Sequence, residues 1–562
     1  ESGGQVEMYG NMPRRMWGTL RDTARAGAYT LYVQGEMDWQ PNDQVIIGTT
    51  GRDASETEWL VIFAMRHIPD GRGGKDTEIN VIRPLLYTHV GVTETHGQRE
   101  IDMRCEVGLY LRPHRPHGPQ YPTIRLAGVD SLHWDFRFKT MARSLLGMLV
   151  LVRPGANLTL SGVWLEDGVT HKPGLVALRR LVGGPRNVVP MINCNLPPLG
   201  DGLWPPRNWV CPVGAARSCP PVRRLDAAVC DIRRSILVPR RGHGIEIVRG
   251  IVQDAIFWQA MTCIKAGGMS RIIHNAMFGA LSRDGSLLAD GGELTSSDTG
   301  MDWLDRGDRG MIAIGNAVAG AQSSCYSASV GWNMPPRRFK NNTGHSCLMG
   351  FITKGSVDSD IQDLVLWQIS HIGIWGYSRS NAPTISNVRM ADFHVGSFWG
   401  NIGGNSNNHV VYQQTLTYRN SLFVARSYNN PRDGTSRALL LPIFSSQGYS
   451  ISPSTCGPLG GHWTRGIYGN EHPIGGNPAI AGEVRVTGCT FVRFLAGSYV
   501  LQTTMRGAGV NHPGGMESSD AVPPHFFRQI TIDAESRTNL AYLPPPYREW
   551  IDPRKCVSMD CD

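Results

Sequence analysis

Residues 337–355 read RRFKNNTGHSCLMGFITKG. The stretch sets His345, Ser346 and Cys347 side by side behind a pair of asparagines. It is either a catalytic cluster or one rung of a repeat. Comparable units recur through the second half of the chain: a few alternating apolar residues, a small polar corner, then a second short apolar run. They are RIIHNAMFG around Asn275, IAIGNAVAG around Asn316, RFKNNTGHS around Asn342, DIQDLVLW around Asp363, TISNVRMAD around Asn387 and LTYRNSLFV around Asn420. VRVTGCTFV around Gly488 is a weaker copy. Successive corners lie 41, 26, 21, 24 and 33 residues apart.

Short strands repeating every twenty-odd residues suit an all-β parallel β-helix. One coil cannot bury its inner face alone, so coils stack, and inward asparagines can then hydrogen-bond along the stack. Longer intervals read as loops inserted at one corner. A series of β-sandwich domains is the rival architecture, but it calls for more regular strand spacing and a Cys…Trp…Cys frame. In the β-helix reading Asn342 is the interior residue and Asn341 faces outward. Neighbours on a strand point to opposite faces, so His345 and Ser346 are not expected to serve one substrate. The expectation is no catalytic residue in this stretch.

The whole-chain composition narrows the function classes. The 562 residues are 41% hydrophobic and 18% charged, with 66 glycines and 36 prolines. The longest apolar run, LLGMLVLV at 145–152, is far short of the roughly 20 residues of a membrane-spanning helix. The start, ESGGQVEMYG, has no signal-peptide pattern. The net charge is +8, but only seven of the 55 basic residues are lysine, and the arginines are scattered in pairs. No basic stripe interleaved with aromatics points to nucleic acid. No cofactor or metal motif is present.

The 12 cysteines form no CxxC pair and match no zinc spacing. Cys194, Cys211, Cys219 and Cys230 fall in a proline-rich stretch with too little apolar content to hold its own shape. They are disulfide candidates with the pairing left open, as are Cys556 and Cys561 at the end. Asn157-Leu-Thr and Asn341-Asn-Thr are glycosylation sequons. Asn341 is the better acceptor, and Asn157, in the strand-like NLTLSG, reads as half hidden. Cysteines and sequons together favour an oxidising, extracytoplasmic setting.

Several stretches resemble the fibrocystin and fibrocystin-like family. MWGTLRDTARAG, MDWQPNDQVIIGTTGRDASETEWLVI, RPLLYTHVG and CEVGLYLR are similar to the second half of its eight-glycine domain. Trp17, Trp39, Asp43, Thr50, Glu58, His89, Glu106 and Val107 carry that match, and Asn42 stands where glycine is usual. GNAVAGAQSSCYSASVGWNMPPRRFKNNTGHSCLMGF, TISNVRMADFHVGSFWG and YRNSLFVARS resemble its coils. The ending WIDPRKCVSMDCD resembles its closing motif. Residues from about 116 to 308 match poorly.

The resemblance implies a partial eight-glycine β domain at 1–115, a right-handed parallel β-helix at 116–501 with a Cys/Pro-rich insertion at 194–230, and an extension at 502–562. It also implies a chain that continues upstream. The setting it implies is the surface of a cell, cilium or flagellum, with other extracellular or membrane proteins and glycans as partners. Hyaluronan-degrading relatives of the domain make a polysaccharide depolymerase the rival function. Their paired histidines are missing here, where GVWLEDGVTHKPGLVALRRL keeps only His171. The acids Asp284, Asp290, Glu293, Asp298, Asp302, Asp305 and Asp308 could supply a glycosidic carboxylate pair, but read as a solvated insertion. Trp204 and Trp209 are candidates for stacking on a sugar or a partner. The expected function is a non-enzymatic structural and interaction segment.

Overall fold

A computed structural model describes residues 5–10, 12–51, 53–111, 124–127, 150–152, 156–166, 190–194, 228–239, 243–280, 299–303, 311–328, 338–353, 360–378, 383–403, 415–429, 437–442, 479–480, 483–494, 499–504, 525–533, 536 and 539–542. Apart from one 3₁₀ turn, Ala54–Glu56, every regular element among them is a β-strand. No helix there is long and apolar enough to cross a membrane. The chain divides into two units, 1–93 with 102–286 and 295–347, and 94–101 with 287–294 and 348–562.

In the first unit, parallel strands stack coil upon coil. One strip runs Gln5–Tyr9, Asn157–Ser161, Val229–Arg233, then the second halves of His243–Gln253 and Thr262–Ile273, then Ile312–Ile314 and Arg338–Lys340. The next strip runs Val163–Glu166, Ile236–Val238, Ile256–Trp258, Ala276–Ala280 and the start of Ala317–Ala328. Between them each coil turns on one residue with a left-handed backbone: Gly162, Arg234, Asp254, His274, Gly315 and Asn341. Glycine and asparagine adopt that backbone at least cost. The following residue, from Val163 and Ser235 to Asn316 and Asn342, is buried.

An antiparallel sheet in the same unit comprises, in order, Trp17–Thr19, Glu106–Leu111, Gln44–Ile47, Glu58–Pro69, Lys75–Val81 and Thr30–Val33. It shares a core with the second parallel strip: Val45, Ile46, Val107 and Leu109 are buried with Ile236, Ile256, Trp258 and Phe278. Gly48 and Gly108 allow the close approach. A Cβ on Gly48 would meet the Ala319 Cβ at 2.8 Å, and one on Gly108 the Phe278 ring at 2.9 Å.

The second unit repeats the scheme. Ile361–Gln362, Thr384–Ser386, Thr415–Arg419, Glu483–Thr487 and His525–Arg528 form one parallel ladder. Val365–Ser378, Arg389–Gly403, Leu422–Val424, Thr490–Val492 and Thr531–Ile532 form another. Its left-handed corners are Asp363, Asn387, Asn420, Gly488 and Gln529. Inside, Phe423 lies flat on Phe491 of the next coil, with centroids 5.4 Å apart at 9°. The parallel β-helix expected from the repeat is therefore present. Parallel pairing starts earlier than residue 116, at Gln5–Tyr9, and extends past 501 to Asn539–Tyr542.

Candidate functional site

The polar side chains singled out from sequence converge on coil corners and on the seam between the antiparallel sheet and the coils. Asn275, Asn316 and Asn342 form a buried ladder. The Asn275 side-chain amide donates to Asn316 Oδ1 at 2.9 Å, and that of Asn316 to Asn342 Oδ1 at 3.0 Å. Each carboxamide oxygen also accepts a backbone amide of the preceding coil: Ala255 N, Asn275 N and Asn316 N. Each amide nitrogen also donates to a carbonyl, of Val252, Ile272 or Ala313. The side chain thereby replaces the ladder partners that the turning backbone lacks.

The six expected corner residues are not equivalent. Asp363, Asn387 and Asn420 occupy the left-handed position itself, one residue before the interior position held by Asn275, Asn316 and Asn342. Asp363 and Asn387 are hydrogen-bonded to each other and only half-buried. Asparagine suits both positions, for its conformational tolerance in one and its amide in the other, so the motif alone does not distinguish them. Asn341, at the left-handed position, is exposed. Asn157 is also exposed rather than half hidden, because it faces outward on its strand.

His345, Ser346 and Cys347 depart from plain strand geometry. Ser346 has φ 56°, a left-handed bulge. Its hydroxyl therefore lies 3.2 Å from His345 Nδ1, on the same side, contrary to the alternation expected. All three residues are nevertheless closed off. His345 donates from Nε2 to Glu106 at 2.6 Å, with side chains 0% and 2% exposed. Ser346 donates to the Thr49 carbonyl at 3.3 Å. Cys347 is disulfide-bonded to Cys325, 22 residues earlier. That bond was missed in the sequence because its partner lies a whole coil away.

A second buried pair sits within the antiparallel domain. His89 Nε2 donates to Glu58 at 3.0 Å and Nδ1 lies 2.7 Å from the Gly48 carbonyl. Burial pushes the Glu58 carboxyl up, but the bonds from His89 and from the Leu86 and Tyr87 amides outweigh it, holding it below its ordinary range. The other residues shared with the eight-glycine domain also hold backbone. Trp39 donates to the Arg15 carbonyl, Asp43 accepts Gln40 N and Thr50 donates to the Thr88 carbonyl. Trp17 donates to the His274 carbonyl and stacks on its ring at 4.5 Å. Asn42 has φ 73°, the conformation for which glycine is usual at that turn.

Of the acids grouped as a solvated insertion, Asp302 is misplaced by that reading. It lies on the strand Thr299–Trp303, fully buried, in register with Lys265 on the preceding coil. Lys265 Nζ is 2.8 Å from His243 Nε2. Asp284, Asp290, Glu293, Asp298, Asp305 and Asp308 lie outside the described residues, as do His171, Trp204, Trp209, Cys211, Cys219, Cys556 and Cys561. Cys194 is bonded to Cys230. Their register partners on the next coil are Ile247 and Gly250. The disulfide thus closes a long insertion where the next coil needs two residues. Cys105, Cys263 and Cys489 are buried free thiols. Among the described residues no group of His, Cys, Asp and Glu is placed to hold a metal ion.

No family model matches the chain. Mouse fibrocystin-L is 29% identical over 133 residues, 24% of this chain and 3% of that protein. Mouse fibrocystin is 24% identical over 110 residues, covering 19% and 2% respectively. A G8 domain-containing protein of Dictyostelium discoideum is 33% identical over 100 residues, covering 17% and 6%. The matched stretches are thus a few per cent of these relatives' lengths. Among solved structures, the tailspike protein gp49 of Pseudomonas phage LKA1 aligns over 98% of this chain and 68% of its own, with 10% identity and a TM-score of 0.22. The β-helix assignment rests on the strand pairing instead. In sequence, the chain is fibrocystin-like.

Proposed function

We propose that this chain is a non-enzymatic structural and interaction segment of a large extracellular protein, set at a cell surface and specifically that of a cilium or flagellum. The observation that carries the reading is the commitment of the described His-Ser-Cys cluster and of the His89–Glu58 pair to buried architecture. His345 with Glu106 and His89 with Glu58 are closed to solvent, and Cys347 is spent in a disulfide. A general acid or base must reach its substrate. The disulfides support an oxidising compartment, and exposed Asn341 is a suitable glycan acceptor there. The fibrocystin-like stretches are what support reading the setting as a surface, ciliary or flagellar one, with extracellular or membrane proteins as partners.

The decisive experiment incubates the intact chain with hyaluronan, pectin-like and other uronic-acid polymers, with and without calcium, and sizes the products. Unshortened polymer is the expected result. Shortened polymer overturns the proposal in favour of a depolymerase. Antibody labelling of unpermeabilised cells tests the location, with label confined to the cell interior as the contrary result. Mass spectrometry of the native protein should find a glycan at Asn341.

A further inference from the structure

The first parallel strip of the first unit contributes no residue to the core shared with the antiparallel sheet. Its inward residues, such as Cys230, Ile232, Val252, Ile272 and Ala313, are buried. Its outward residues are not, and their charges are unevenly distributed. Acids mark its early end, where Glu7 is two coils before Asp231 in register. Asp231 is neutralised by Arg233, 2.7 Å away. From the corner of that coil onward the outward and corner charges are mostly basic: Arg234, Arg249, Arg271 and Lys340. Asp254 is the acid among them, and it is held by His274 at 2.6 Å. Arg234, Arg271 and Lys340 have no acid partner among the described residues.

The spacing is regular because the backbone is. Ile251, Arg271 and Ile312 are register partners on three successive coils, and Gln253, Ile273, Ile314 and Lys340 on four. Parallel strands lie about 4.8 Å apart, so the coils from Arg234 to Lys340 span about 19 Å. The half-buried isoleucines between the cations exclude water beside them, which lowers the local dielectric and strengthens each charge toward an anion. The cations recur along a ladder of five coils rather than converging on one point. That spacing suits an extended chain with repeated negative charge better than a compact anion.

We propose that this strip docks an anionic polysaccharide, laid across the coils with its carboxylate or sulfate groups against Arg234, Arg271 and Lys340. The inference rests on the extracellular reading above and names its partner class. The test measures retention of heparin, hyaluronan and neutral dextran by the intact chain across a salt titration, and sizes the eluted polymer. Heparin alone retained identifies sulfate as the ligand group, and hyaluronan as well identifies carboxylate; either supports the proposal. Affinity should fall with salt. It should also fall about tenfold or more in Arg234→Asn/Arg271→Ser/Lys340→Ser, with an unchanged melting temperature. Asparagine is chosen at 234 because that corner is left-handed.

The control, Arg25→Ser/Arg72→Ser/Lys75→Ser, removes three exposed cations from the antiparallel domain and should leave binding intact. No retention of either acidic polymer, equal loss in both triples, or equally tight duplex DNA binding lost in the same triple overturns the proposal. Shortened polymer in the eluate counts instead against the non-enzymatic reading, so the two failures are distinguishable.

Discussion

Replacing Asn316 by alanine removes the middle rung of the buried amide ladder. Four hydrogen bonds are lost: two accepted from Asn275, one donated to Ile272 O and one donated to Asn342 Oδ1. Two of the affected groups keep other bonds, since the Asn275 side chain still reaches Val252 O and Asn342 Oδ1 still accepts Asn316 N. The Asn275 amide and the Ile272 carbonyl lose the partner that Asn316 supplied. At about 1–3 kcal/mol for each stranded buried group, the expected loss is about 2–6 kcal/mol. For a unit of this size that is a fall in melting temperature of about 3–9 °C. The assay is thermal unfolding followed by tryptophan fluorescence, with Asn341→Gly as the control at the exposed neighbouring position. Asn316→Asp should be worse, because it loses both donated bonds and buries a charge. If Asn316→Ala melts with the control, the ladder is not what holds these coils together.

Glu106→Ala should cost about 3–5 kcal/mol, because it leaves His345 buried without its partner; a loss under about 1 kcal/mol in the same melt refutes the pairing. In the second unit, burial pulls His371 from 6.5 to about 4, and its Nδ1 has no hydrogen-bond partner. The folded state therefore favours the neutral ring and binds fewer protons than the unfolded chain between those values. Stability should be level above about pH 6.5 and fall by up to about 3 kcal/mol as the pH drops towards 4. His371→Leu should flatten that slope, and an unchanged slope counts against the assignment. Cys325→Ser opens a 22-residue loop worth about 3 kcal/mol on chain-entropy grounds. Peptide mapping without reductant should recover the 325–347 pair from the native chain, and free thiols at both positions would contradict it.

The sequence by itself determined the coil. Local rules suffice for that: strands alternate inward and outward residues, corners need a left-handed residue, and repetition at twenty-odd residues makes coils stack. The resemblance residues around Trp39, Asp43 and Glu58 were likewise legible, since they hold backbone groups of their own domain. The tertiary structure decided what depends on neighbours a coil or a domain away. Whether an asparagine forms the corner, as Asn387 does, or the rung behind it, as Asn342 does, turns on which residue takes positive φ. Ser346 joins His345 on one side because a bulge adds a left-handed residue that alternation does not foresee. Glu106 meets His345 across 239 positions, and Cys325 meets Cys347 across a whole coil. Asp302 is interior because its strand joins a stack, although its neighbours in sequence read as a solvated loop. In each case, contacts between segments distant in the chain override local composition, because burial and hydrogen bonding are satisfied in space.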